Sequence, residues 1–262
     1  MSVPTRSRSY RLGESVVRTF TPAAFRLDPA GAEHLPADGG CLVVTNHLSR
    51  ADPFVVGRFL LDQGRLPRFM AKDSLFELPV VGSVLTNAGQ IPVARESATA
   101  SAALGPARDA LLAGECVVIY PEGTLTRDPA LWPMRGKLGA ARLALATGCP
   151  VIPVASWGSQ WLMPAQARLP RLGRRPLISL RVGPPVDLGP YLPQEGAAPD
   201  VRGLIEATRA IMADVTGLLA VIRDEAPPRQ VWNPSAHGQP VIGDDRTRRR
   251  TSRRGGRRGR RR

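Results

Sequence analysis

Apolar residues in this chain fall into short continuous runs separated by longer stretches with helical spacing, and the two kinds of segment alternate. Cys41–Thr45 and Cys116–Tyr120 are nearly unbroken apolar runs, the pattern of strands covered on both faces. Arg68–Ala71, Gln90–Ala94, Val151–Ser156 and Leu177–Val182 predict further strands. Between them, residues 53–63, 79–87, 98–113 and 137–147 predict helices, the last ended by Gly148 and Pro150. Asp52 is the expected N-cap of the helix that Pro53 opens. Leu204, Thr208, Ile211, Val215, Leu218 and Ile222 recur at alternating steps of four and three, the single apolar stripe of a last helix. The alternation predicts an α/β sandwich with a largely parallel sheet flanked by helices.

The ends of the chain differ from this pattern. Residues 1–30 form an N-terminal segment with a modest amphipathic signal over 11–27, interrupted at Pro22. That segment either packs on its own core or lies on a membrane surface. Residues 31–225 read as one folded domain. Residues 226–262 hold Pro227, Pro228, Pro234, Pro240 and a run of arginines, and read as a disordered basic tail.

Candidate chemistry is concentrated just after the first buried run. His47 precedes Asp52 by five residues. On a regular helix that spacing places two side chains about 140° apart, so the pair meets only if a loop joins strand to helix. Met there, His47 is a general base for a hydroxyl, while Asp52 fixes the ring tautomer and steadies the imidazolium. Alternatively, Asp52 only caps its helix and His47 is an ordinary surface histidine. With no second His or Cys nearby, a metal site is not expected.

Further blocks follow in order. They are Phe69 to Phe76 with Lys72, then Pro79 to Gly82; Gly89 to Arg95; Tyr120-Pro121-Glu122-Gly123-Thr124; and Val151 to Ala155. With the Asn46-His47 to Asp52 motif, they resemble the glycerolipid acyltransferase family, best known from lysophosphatidic acid acyltransferases. The resemblance covers roughly residues 31–185 and implies a single-domain glycerol-3-phosphate-acyltransferase-like sandwich. It implies transfer of a fatty acyl group from acyl-CoA or acyl-carrier protein to the free hydroxyl of 1-acylglycerol 3-phosphate, giving phosphatidate, with no cofactor. His47 and Asp52 are then catalytic. Lys72, Arg95 and Arg127 offer cations to a phosphate. Glu122, Gly123 and Thr124 bind the acceptor or shape a turn, and Pro153 belongs to the acyl-chain region. The family commonly has arginine after Glu-Gly-Thr; here Leu125 stands, which opens the alternative of another lysophospholipid or a glycolipid acceptor. Arg135-Gly136-Lys137-Leu138-Gly139 resembles the family's basic element after that block.

Composition refines this picture. The net charge is +14, but residues 244–262 hold eleven arginines against Asp244 and Asp245, a net +9, leaving +5 for the rest. The tail suits an anionic membrane surface or simple solvation; without interleaved aromatics, nucleic acid is not expected as a specific partner. A binding module without activity is the reading of another class. Cys41, Cys116 and Cys149 are expected as reduced core residues. No apolar run reaches the ~18 residues of a membrane span. A cytoplasmic protein held peripherally on the inner face of the cell membrane is the expected setting.

Overall fold

The computed structural model describes residues 8–93, 104–167, 169–192 and 199–239. Seven strands form one sheet: β1 Arg26–Ala30, β2 Cys41–Thr45, β3 Pro67–Lys72, β4 Ile91–Val93, β5 Cys116–Ile119, β6 Val151–Trp157 and β7 Leu177–Val182. Their order is β1-β7-β6-β2-β5-β3-β4. The five strands from β6 to β4 are mutually parallel; β7 runs antiparallel to β6, and β1 pairs parallel with β7. The central pair, β2 and β5, is buried at every position, as its unbroken apolar sequence requires.

Alternation along β2 divides the core between the two faces of the sheet. Leu42 and Val44 join Val117 and Ile119 on one face, under α4 Gly105–Leu112, α5 Gly139–Thr147 and α7 Val201–Arg223. Cys41 and Val43 join Cys116 and Val118 on the other, under α2 Asp52–Asp62. On that second side α1 Arg8–Ala24 packs on α2 and on α3 Pro79–Asn87. On α7, Ile211, Val215 and Leu219 are fully covered, so the buried stripe ends at Leu219 where the spacing placed Leu218. Burying each such side chain contributes about 1.5–3 kcal/mol relative to exposure. Asp200 caps α7, its side chain accepting from Gly203 N at 2.6 Å. α5 ends at Gly148, whose φ of 66° returns its N–H to Ala144 O.

The crossovers decide where a site forms. The chain leaves β2 through α2 on one face and leaves the adjacent β5 through α5 on the other. The carboxyl ends of these two neighbours therefore diverge, leaving a crevice at a topological switch point.

Several expectations change. β1 was not foreseen, and it belongs to the sheet, which therefore begins at Arg26, before residue 31. Asp28 holds it in place through Arg181, at 3.1 Å. α1 runs through Pro22 to Ala24; the Arg18 carbonyl, which Pro22 deprives of its helical donor, accepts from Arg58 Nη1 instead. A short helix, α6 Ser159–Leu162, was also missed. Residues 226–239 are not disordered: Arg135 N donates to Trp232 O, Trp232 stacks on His237 at 3.6 Å, and Pro234 is buried. Aromatic stacking and that backbone bond outweigh the proline content. The run 244–262 lies outside the described residues, as does the first part of the helix expected over 98–113. Cys41 and Cys116, remote in sequence, are cross-strand neighbours with free thiols.

Candidate active site

The site is built from the loop that leaves β2. Asn46, fully buried, acts as a surrogate strand residue: its Oδ1 accepts from Ser156 N at 2.9 Å and its Nδ2 donates to Ser156 O at 3.0 Å. This clamp to β6 fixes the exit of the chain and turns His47 over the end of the sheet. The residues after it form a loop, and Asp52 then opens α2 from its first turn. Ala51, not Asp52, is the N-cap. The Asp52 side chain instead turns back into the loop, where Oδ2 accepts from Leu48 N at 2.7 Å and Ser49 N at 2.8 Å.

The same oxygen lies 2.8 Å from His47 Nδ1. Because an ionised carboxylate only accepts, the geometry places the proton on Nδ1 and the lone pair on Nε2. Asp52 is wholly buried, while His47 keeps 17% of its side chain exposed. The imidazole stacks on Tyr120, with centroids 4.1 Å apart, and Tyr120 stacks on Phe69 at 6.5 Å. Burial, and next the charge of Asp52, push the Tyr120 phenol well above its usual range.

The backbone of His47 is held as firmly as its ring. Its N–H donates to Glu122 Oε1 at 3.0 Å, and its carbonyl accepts from Thr126 N at 2.7 Å. Glu122 Oε2 accepts from Met134 N at 3.0 Å. Glu122 thus bridges two loops and is itself buried; burial pushes its carboxyl to about 8, although both backbone bonds favour the anion. Each of its oxygens thus accepts from the main chain, the arrangement of a carboxyl that shapes a turn. Gly123 has φ 70°, and a Cβ there would lie 2.8 Å from Lys137 Nζ, so glycine serves both the turn and the close passage of that lysine.

The other expected residues divide. Lys72 ends β3 at the same carboxyl edge of the sheet. Thr124 and Arg127 lie half-buried in the segment after β5, with Arg127 N donating to Met134 Sδ. Arg95 lies outside the described residues. Pro153 is buried. It sits within β6, its carbonyl accepting from Gly183 N and its ring lying against Gly183. Sequence reasoning overlooked Tyr120, Thr126, Met134 and Ser156 as supports of His47. Only Tyr120, a polar aromatic closing a buried run, carried a local signal.

A histidine–aspartate pair at the carboxyl ends of a parallel sheet defines the class of site. Residues 26–157 match the family described as Acyltransferase, and the chain belongs to that family. Among its relatives, a chloroplastic 1-acyl-sn-glycerol-3-phosphate acyltransferase of Brassica napus is 32% identical over 142 residues, 53% of this chain and 40% of that protein. A 1-acyl-sn-glycerol-3-phosphate acyltransferase of Bacillus subtilis is 34% identical over 129 residues, 48% of this chain and 60% of that one. The chain spans about half the length of the curated relatives it matches. The crystal structure of the 1-acyl-sn-glycerophosphate (LPA) acyltransferase PlsC from Thermotoga maritima shares the fold, with a TM-score of 0.59 and 22% identity over 86% of both chains.

Proposed function

We propose that this protein moves a fatty acyl group from acyl-CoA or acyl-carrier protein to the free hydroxyl of 1-acylglycerol 3-phosphate, giving phosphatidate. The observation that carries this reading is the 2.8 Å contact of His47 Nδ1 with a buried carboxylate, which leaves Nε2 as the ring nitrogen able to accept a proton. Nε2 takes the proton of the acceptor hydroxyl as its oxygen attacks the thioester carbonyl. The tetrahedral intermediate collapses, the carbon–sulfur bond breaks, and the imidazolium returns the proton to the departing thiolate. Asp52 stabilises the imidazolium throughout, and no acyl-enzyme forms. Lys72 and Arg127, together with Arg95, supply cations for the acceptor phosphate.

The substrates are amphiphiles, which favours work at the surface of a bilayer. In support, residues 75–84, leading into and through α3, expose Leu75, Leu78, Val80, Val81 and Val84, and α2 exposes Phe54 beside the His47 loop. Among the described residues no helix is long and apolar enough to cross a membrane. Attachment from the inner face, aided by the basic tail on anionic lipids, is the arrangement we propose.

Leu125 supports a second reading in which another lysophospholipid or a glycolipid is the acceptor. Purified protein given radiolabelled acyl-CoA and a panel of acceptors tests both. Phosphatidate is the expected product, and His47→Ala is expected to lower turnover roughly 10²–10⁴-fold. Preference for a different acceptor would move the assignment to the second reading. Equal, negligible transfer by wild type and His47→Ala across the panel would leave a binding module.

A further inference from the structure

The last turn of α7 carries a buried arginine that the mechanism above does not use. The Arg223 side chain is 8% exposed. Its guanidinium carbon lies 4.2 Å from the ring centre of Trp132 and 4.4 Å from that of Trp157. Trp132 belongs to the irregular segment after β5, and Trp157 ends β6. The planar cation is thus seated between two indole faces, an arrangement suited to arginine and not to lysine. In the same plane Nη1 donates to Ala130 O at 2.8 Å, and Nη2 reaches Glu225.

Ala130 and Trp132 flank Leu131, whose φ is 63°. A branched side chain rarely adopts that left-handed conformation, which persists only where its surroundings over-determine it. Arg223 grips the residue on either side: the carbonyl before it and the ring after it.

That strained turn lies within the segment that brackets His47. Trp132 O accepts from Thr126 Oγ1 at 2.7 Å, and Thr126 N donates to His47 O at 2.7 Å. Two residues beyond Trp132, Met134 N bonds Glu122, which in turn holds His47 N. Residues 126–134 have no helix or strand of their own to fix them. We propose that Arg223 is a positioning residue for acyl transfer. Its guanidinium, clamped between Trp132 and Trp157, keeps residues 126–134 in the conformation that holds both main-chain polar atoms of His47.

The kinetic arm of the test rests on the acyl-transfer reading; the spectroscopic arm does not. In the full chain, Arg223→Gln is expected to lower kcat roughly 10- to 100-fold through misplacement of the base, with the acceptor KM within about twofold. In histidine-labelled protein the Nδ1 proton of His47, assigned by its loss in His47→Gln, is expected to be sharp in wild type and broadened by exchange in Arg223→Gln. Leu131→Gly added to Arg223→Gln is expected to recover much of kcat, because glycine adopts that φ without strain. Trp132→Phe, which keeps a smaller aromatic face, is expected to act in the same direction with a smaller effect and covers the case in which Arg223→Gln does not fold. An unchanged kcat with an unchanged Nδ1 resonance in either variant would overturn the proposal. If wild type transfers no acyl group to any acceptor, the functional reading falls, and the resonance alone still decides whether Arg223 positions His47.

Discussion

At His47 the chemistry is set by what each ring nitrogen faces. Three N–H donors converge on Asp52 Oδ2, from Leu48, Ser49 and the imidazole. An asparagine there keeps the shape but removes the charge that steadies the imidazolium. Asp52→Asn is therefore expected to lower kcat by about 10²–10⁴ with an unchanged circular dichroism spectrum; full activity would reduce Asp52 to a brace for its loop. Glu122 makes a different prediction. Its carboxyl is raised to about 8 in the folded protein, from 4.5. Between those values the folded state binds more protons than the unfolded state, so stability falls as pH rises. Urea titrations from pH 5 to 9 are expected to show wild type losing stability more steeply than Glu122→Gln. Parallel pH profiles would mean that this buried carboxyl titrates normally.

At the scale of elements, apolar runs were legible where both sides of a segment are covered. β2, β5 and β7 lie where the pattern places them, because continuous or alternating apolar sequence has few other uses. β1 was invisible: Arg-Leu-Asp-Pro-Ala has no β-branched residue, and its pairing with β7, with Asp28 reaching Arg181, joins residues 153 apart in the chain. α3 is the converse case. Its sequence is apolar and uncharged, yet among its nine residues only Gly82 is buried. Val81→Glu with Val84→Glu is expected to shift the melting temperature little, as for surface substitutions generally, while sharply lowering retention on anionic vesicles. Undiminished retention would place the lipid-facing surface elsewhere.

For the whole molecule, charge and fold are separate matters. Nine of the fourteen net positive charges lie in residues 244–262, beyond the described fold. Removing that stretch is expected to leave transfer to dispersed acceptor intact while weakening vesicle binding, most visibly at low salt, since each arginine near an anionic surface contributes about 1 kcal/mol. Salt-insensitive binding that survives the deletion would assign attachment to apolar contacts. The chain before that point does not behave as its composition suggests, because residues 226–239 return to the segment following β5 through Trp232.

The sequence alone determined the alternating layers, the largely parallel sheet and the need for a loop between His47 and Asp52. These follow from periodicity and spacing, which are local properties. Tertiary structure decided how the base is held: Asn46 on Ser156 across 110 residues, Glu122 under His47 across 75, and Arg223 on Ala130 across 93. It also set Pro153 within β6 against Gly183 and joined both oxygens of Glu122 to the main chain. Side chains so far apart in the chain meet only because adjacent parallel strands bring their carboxyl ends together, and no periodic pattern records which buried polar group will find which partner there.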